Sequence, residues 1–230
     1  MAEIAVALDL PSGEAALRLV DAVGPACAWY KVGSALYVCD GPALVRALLA
    51  RGKRVFLDLK WHDIPHTVSG AVASASALGI SLATVHAAGG PRMLEAAVAA
   101  RSGSLRLVGV GVLTSLAAAD YGAIVDRPVA DLGVEQERLA RTALGCGLDG
   151  FVTAVAEAPR LRRLAGPRAL LVTPGIRRAS DADADQRRTA SPAQAVRAGA
   201  DLLVVGRPVT ASADPAGALG ELRGEMERAT

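Results

Sequence analysis

The sequence predicts an α/β fold, a single (β/α)8 TIM barrel spanning residues 1–230 as one domain. Three observations carry this. Apolar runs alternate with Ala- and Leu-rich segments of helical spacing from one end of the chain to the other, eight of each. Repeated βα units imply a parallel sheet, and eight of them imply closure. The rival, an open doubly wound sheet, would favour a glycine-rich nucleotide fingerprint after the first strand, and Leu8-Asp9-Leu10-Pro11-Ser12-Gly13 is not one.

In order, the apolar runs place strands at residues 4–10, 28–32, 54–59, 82–87, 105–113, 150–155, 169–172 and 201–205. Helices are expected between and after them at 13–23, 42–51, 68–78, 91–101, 135–144, 158–164, 192–198 and 215–226, with Gly or Pro punctuating most gaps. Two βα connections are long, 114–134 after the fifth strand and 174–191 after the seventh. Long βα loops on a barrel lie at its active face.

The composition suits this design. The chain is 52% hydrophobic but only 3% aromatic, so its core is built from aliphatic strands and Ala-rich helices. Twenty-five basic residues against 23 acidic ones leave a formal charge of +2, with no basic face for nucleic acid. Cys27, Cys39 and Cys146 are odd in number and lack CxxC spacing, which favours a reducing, cytoplasmic compartment and three small core residues. With acids at Glu3 and Asp9, the amino terminus is not expected to be a signal peptide. Residues 67–91 carry no Asp, Glu, Lys or Arg, yet their Ser, Gly, Thr and His content opposes a membrane span. A buried helix followed by a strand is expected there.

Chemistry concentrates in Val55-Phe56-Leu57-Asp58-Leu59-Lys60-Trp61-His62-Asp63-Ile64. Charge is normally kept out of a buried parallel strand, and this one sets Asp58, Lys60 and Asp63 within six residues. Strand alternation points Asp58 and Lys60 to one side and Leu57 and Leu59 to the other. Asp63 falls in the following loop, where it can reach back to the pair or out to a neighbouring subunit. Polar residues also close the other strands of this half: Asp9 the first, Lys31 the second, His86 the fourth, Thr114 and Ser115 the fifth. All lie at C-terminal strand ends, where barrel enzymes carry their chemistry. Alternating acids and lysines neutralise one another in a dry site.

A phosphate site is readable separately. Val205-Gly206-Arg207-Pro208 runs from a strand into a glycine and a guanidinium, with a short helical turn to follow. The polar loop opening at Pro174-Gly175 reads as a lid over residues 177–190, with Arg177 and Gln186 as candidate phosphate contacts. His62, His66 and His86 have no metal-ligand spacing, and no Ser/His/Asp or Cys/His nucleophile can be assembled. His86 is expected to be a hydrogen-bonded residue at its strand end.

Asp58-Leu59-Lys60-Trp61-His62-Asp63-Ile64-Pro65 resembles the DxKxxDI signature of the orotidine 5'-phosphate decarboxylases. Further matches run through Ala7-Leu8-Asp9, Tyr30-Lys31-Val32-Gly33, Val85-His86-Ala87-Ala88-Gly89-Gly90, Leu113-Thr114-Ser115, Thr173-Pro174-Gly175-Ile176-Arg177, Asp185-Gln186-Arg187-Arg188 and Val205-Gly206-Arg207-Pro208. The resemblance implies a cytoplasmic homodimer of barrels that converts orotidine 5'-monophosphate to UMP, the last step of de novo pyrimidine nucleotide synthesis, without metal or cofactor. It implies that Lys60 delivers a proton to C6, Asp58 faces the departing carboxylate, and Lys31 and Asp9 hold the ribose and the charge network. Asp63, Ile64 and Thr67 would enter the partner's site. Thr114 or Ser115 would meet the pyrimidine edge, and Arg177, Gln186, Gly206 and Arg207 the phosphate, with Pro174 in the same wall. Ala35 and His66 depart from residues common in the family, an acid and an asparagine, and neither carries chemistry in this scheme. The rivals are the Mg2+-dependent sugar-phosphate branch of the same barrel group, which carries a carboxylate where this chain has Lys31, and a non-catalytic phosphate-ligand sensor.

Overall fold

The computed structural model describes residues 2–178 and 189–229. In chain order the elements are β1 (Glu3–Ala7), α1 (Gly13–Val23), β2 (Trp29–Gly33), α2 (Ser34–Ala50), β3 (Arg54–Trp61), α3 (Pro65–Leu78), β4 (Leu82–His86), α4 (Gly90–Ala100), β5 (Arg106–Val110), α5 (Ala118–Ile124), α6 (Leu132–Gly145), β6 (Gly150–Val152), α7 (Ala158–Ala165), β7 (Leu170–Thr173), α8 (Pro192–Arg197), β8 (Leu202–Val205), α9 (Arg207–Thr210) and α10 (Pro215–Glu227). The eight strands are parallel, each beside its sequence neighbour, and β1 returns to β8 to close the barrel.

Period-two alternation divides the apolar residues between two cores. Ala5, Ala7, Trp29, Phe56, Leu82, Val108, Val172, Leu202 and Val204 fill the barrel, while Val6, Tyr30, Val32, Leu57, Val85, Phe151 and Leu203 belong to the larger core that also takes in the helices. Both faces of each strand are covered, which is why the strands read as continuous apolar runs. The barrel floor is sealed by Trp29, whose indole N–H donates to Glu3 at 3.0 Å while the Arg54 guanidinium stacks 4.4 Å from the ring centre. Chemistry is left to the opposite mouth.

Departures from the expected elements have local causes. β1 stops at Ala7 and β5 at Val110, short of their apolar runs, and beyond Val110 the backbone N–H and C=O of Val112 are both taken by the Gln136 side chain. Helix α2 begins at Ser34, ahead of the expected 42–51, and passes through Gly41 (φ 35°) and Pro42, where it kinks. A left-handed glycine followed by proline marks a boundary in sequence but only a bend here. The loop 114–134 contains α5, a helix too short to show a period. Not all cysteines are core residues: Cys27 is buried, but Cys39 is exposed and Cys146 intermediate. Helix α3 is likewise less buried than expected, with only Val68, Val72 and Ala75 inside, because its small residues are spread around the helix instead of forming a stripe. Among the described residues, no helix is long and apolar enough to cross a membrane.

One irregularity matters most. Leu57 of β3 pairs with Ala83 of β4, and the next pair is Trp61 with Val85, so residues 58 to 60 face the single residue Thr84. This β-bulge puts Lys60 in the left-handed region, φ 52°.

Candidate active site

At the C-terminal mouth lies a cavity of about 550 Å³. Its wall takes residues from strands all round the barrel, as ligand-binding mouths of this architecture do. Asp9, Lys31, Asp58, Lys60, Thr114, Pro174, Arg177, Gly206 and Arg207 all line it.

Along one side, charges alternate in a row. Lys31, reaching upward from the middle of β2, places Nζ 3.1 Å from Asp9 Oδ1 and 3.9 Å from Asp58 Oδ2. Asp58 Oδ1 in turn accepts from Lys60 Nζ at 2.9 Å. Lys31 and Asp58 are the enclosed members, with side chains 11% and 15% exposed, whereas Lys60 is 39% exposed and open to the cavity. Two ammoniums against two carboxylates leave the row neutral, which lets the fold keep four charges at a strand edge. Arg177 and Arg207 also line the cavity and supply positive charge beside Gly175 and Gly206, backbone that an anion can approach closely. Arg178 does not join them, because it pairs with Glu221 of α10 at 3.0 Å.

Other candidates fall elsewhere. Thr114 lines the cavity and Ser115 does not. Asp63, Ile64 and Thr67 lie outside it in their own chain and are exposed. Asp63 Oδ1 accepts from the Ile64 backbone N–H at 2.6 Å, and Ile64, an apolar side chain, is 65% exposed. Gln186 and most of the lid lie outside the described residues; the lid's base is a bridge in which the Arg177 N–H donates to Ala190 O at 3.0 Å. His86 accepts the Ala88 N–H through Nδ1 at 3.3 Å and stacks on His62 with ring centres 5.0 Å apart. Its burial, then the neighbouring His62 and Lys60, hold the imidazole below its ordinary pKa. Among the described residues no group of three or more His, Cys, Asp or Glu comes together to hold a metal.

Two site residues escaped the sequence reading. Thr84, fully buried on β4, donates its hydroxyl to Asp58 Oδ1 at 3.0 Å and accepts the Lys60 backbone N–H at 2.8 Å. Its signal was available: counting by twos from the interior residue Leu82 puts a polar side chain inside the barrel. Gln136 lines the cavity from α6, its amide pairing with the backbone of Val112 at 2.9 and 3.0 Å. A glutamine in a polar helix carries no such signal. Gly111 makes room for it, since a Cβ there would sit 1.9 Å from the Gln136 carbonyl oxygen.

Comparison with known proteins bears on this geometry. A model of the "Orotidine 5'-phosphate decarboxylase / HUMPS family" matches residues 2–222. An orotidine 5'-phosphate decarboxylase of Anaeromyxobacter sp. strain K is 49% identical over 215 residues, 94% of each chain. Another from Nitrosospira multiformis is 43% identical over 97% of this chain and 93% of its own, and one from Escherichia coli strain SMS-3-5 is 43% identical over 98% and 93%. The crystal structure of orotidine 5'-phosphate decarboxylase from Lactobacillus acidophilus superposes with a TM-score of 0.86 at 31% identity, covering 98% of this chain and 99% of that one.

Proposed function

The chain belongs to the orotidine 5'-phosphate decarboxylase / HUMPS family, and from that premise we propose that it decarboxylates orotidine 5'-monophosphate to UMP, with Lys60 as proton donor and without metal or cofactor. The observation that carries the reading is the row Asp9, Lys31, Asp58, Lys60, whose open end is an ammonium held by a carboxylate at 2.9 Å.

The chemistry explains why such a row is useful. Breaking the bond from C6 to the carboxylate releases CO2 and leaves the electron pair on C6, in the plane of the ring, where no π-system can absorb it. An ammonium fixed beside that carbon before the bond breaks stabilises the charge as it forms. Lys60 then passes one proton from Nζ to C6, giving UMP and a neutral amine that regains its proton from solvent. Asp58 faces the substrate carboxylate and holds Lys60 in aim; Lys31, between Asp9 and Asp58, offsets their charge and bonds the ribose. The phosphate is taken by Arg177, Gly206 and Arg207, with Gln186 and Pro174 in the same wall, and its binding energy organises the charges at the reacting end. Thr114 reads the pyrimidine edge in preference to Ser115, since only Thr114 faces the cavity.

We assign Asp63, Ile64 and Thr67 to the site of a second subunit in a homodimer. The exposed Ile64 and an Asp63 that does not line its own cavity support this. Against the Mg2+-dependent branch of the family stands Lys31, whose ammonium occupies the space between the two carboxylates that would otherwise chelate a cation. The test is turnover of orotidine 5'-monophosphate, followed by its ultraviolet change, with and without chelator. Full activity in EDTA is expected; no turnover, or activity lost to EDTA, sinks the reading.

A further inference from the structure

We propose that Thr84 is the positioning residue that aims the Lys60 ammonium. The inference rests on the reaction proposed above, and its argument is geometric. In an unbroken strand residue 60 would keep the phase of Arg54, whose N–H donates to Ala28 O on the β2 side, but the bulge takes three residues of β3 past one residue of β4 and turns the residue 60 N–H toward β4 instead. The Lys60 N–H finds its acceptor in the Thr84 hydroxyl at 2.8 Å, and the hydroxyl hydrogen goes to Asp58 Oδ1 at 3.0 Å. One fully buried oxygen therefore ties the backbone of the amine-bearing residue to the carboxylate that holds the amine. Lys60 keeps a left-handed backbone, φ 52°, that a long side chain rarely adopts. A long side chain in this conformation persists only where its surroundings over-determine it. Here the surroundings are this hydroxyl and the Asp58 contact.

Valine would fill the same volume and present neither donor nor acceptor. Alanine and serine both lose the methyl group, so the pair isolates the hydroxyl. Displacing a reacting group by about 1 Å costs on the order of 100-fold. Thr84→Val and Thr84→Ala are accordingly expected to lower kcat about 100-fold and leave KM within about threefold, the mark of an interaction made in the transition state. Thr84→Ser is expected to recover most of kcat. A second readout isolates the proton: exchange of the C6 hydrogen of UMP in D2O needs Lys60 at C6 but no carboxylate, and should fall in Val and Ala and return in Ser, with UMP affinity unchanged. Equal kcat in wild type and all three variants overturns the proposal, as does a change confined to KM or an equal loss in Ser and Ala. If Thr84→Val does not fold, the Ala and Ser pair decides. A wild-type chain inert toward orotidine 5'-monophosphate overturns the reaction itself, an outcome distinct from an active wild type whose Thr84 variants behave alike.

Discussion

Replacing Lys60 by alanine should abolish most catalysis while leaving the protein folded and able to bind nucleotide. The Lys60 side chain is 39% exposed, so the dielectric it works in is that of a protein surface and not of a dry interior. A unit charge about 4 Å from the nascent carbanion is then worth about 4 kcal/mol, with an effective dielectric constant of about 20. That corresponds to about a thousandfold in rate. Stability is another matter. An ion pair this exposed contributes at most about 1 kcal/mol, and in the variant Asp58 still accepts from Thr84 at 3.0 Å and faces Lys31 at 3.9 Å. Alanine inherits the same left-handed backbone, so no strain is relieved. The expected result is a kcat reduced at least about a thousandfold, a melting temperature within a few degrees of wild type, and a UMP affinity within a small factor of it. The assays are absorbance-monitored turnover, calorimetry and titration with UMP. A Lys60→Ala enzyme within about tenfold of wild type would refute the reasoning, because Lys31, the row's other cation, is enclosed between Asp9 and Asp58.

Three further outcomes are expected. Burial keeps His86 neutral in the folded chain and its pKa below the ordinary 6.5, so on acidification the unfolded chain takes up the proton first. The stability His86 contributes is complete above 6.5 and is lost as pH falls below that value toward the depressed folded one, and a melting temperature that declines as steeply in His86→Gln as in wild type would contradict this. Gln136→Leu strips partners from the N–H and C=O of Val112, a loss of about 1 to 3 kcal/mol for each buried group, and by loosening the backbone that leads to Thr114 it should raise KM more than it lowers kcat; urea unfolding and steady-state kinetics read the two effects. Glu135, buried on α6, accepts from Arg127 at 2.6 Å and from Arg138 at 3.2 Å, and the Arg127 contact holds its carboxyl below the usual range. Its stabilisation is present above the ordinary 4.5 and vanishes as pH falls through the lower folded value, so Glu135→Ala, which lacks it, should be less stable by about 1 to 3 kcal/mol near neutrality by urea unfolding and by less in acid.

Much of this molecule could be read from residue order, and the reasons for the remainder are specific. The strands were legible because both their faces are buried, so that Leu202 to Val205 or Val55 to Leu57 cannot be mistaken for surface. Their ends were not: Leu8 and Val112 are as apolar as the strand residues before them and buried too, but they lie beyond the last ladder pair. Helix α1 was found at its observed bounds because Ser12 caps it, accepting the Ala15 N–H at 3.2 Å, and Gly24 at φ 58° ends it. The first half of α2 was missed because Gly41-Pro42 breaks helices more often than it bends them. At the site, the charged members announced themselves by being charged where charge is costly. Thr84 did not, since threonine is a good strand former and its hydroxyl shows its use only when the bulge in β3 is known.

That bulge also makes the motif directional. Residue 58 opens the surplus backbone and residue 60 closes it on a left-handed turn, so the two positions are inequivalent although both side chains reach the same cavity. Exchanging them, with lysine at 58 and aspartate at 60, conserves net charge and spacing but sets an ammonium, which has no lone pair, against a hydroxyl that needs an acceptor. Grafting Asp-x-Lys onto a regular strand of another barrel would likewise reproduce the vocabulary without the grammar, and the amine would point wherever an ordinary pleat sends it.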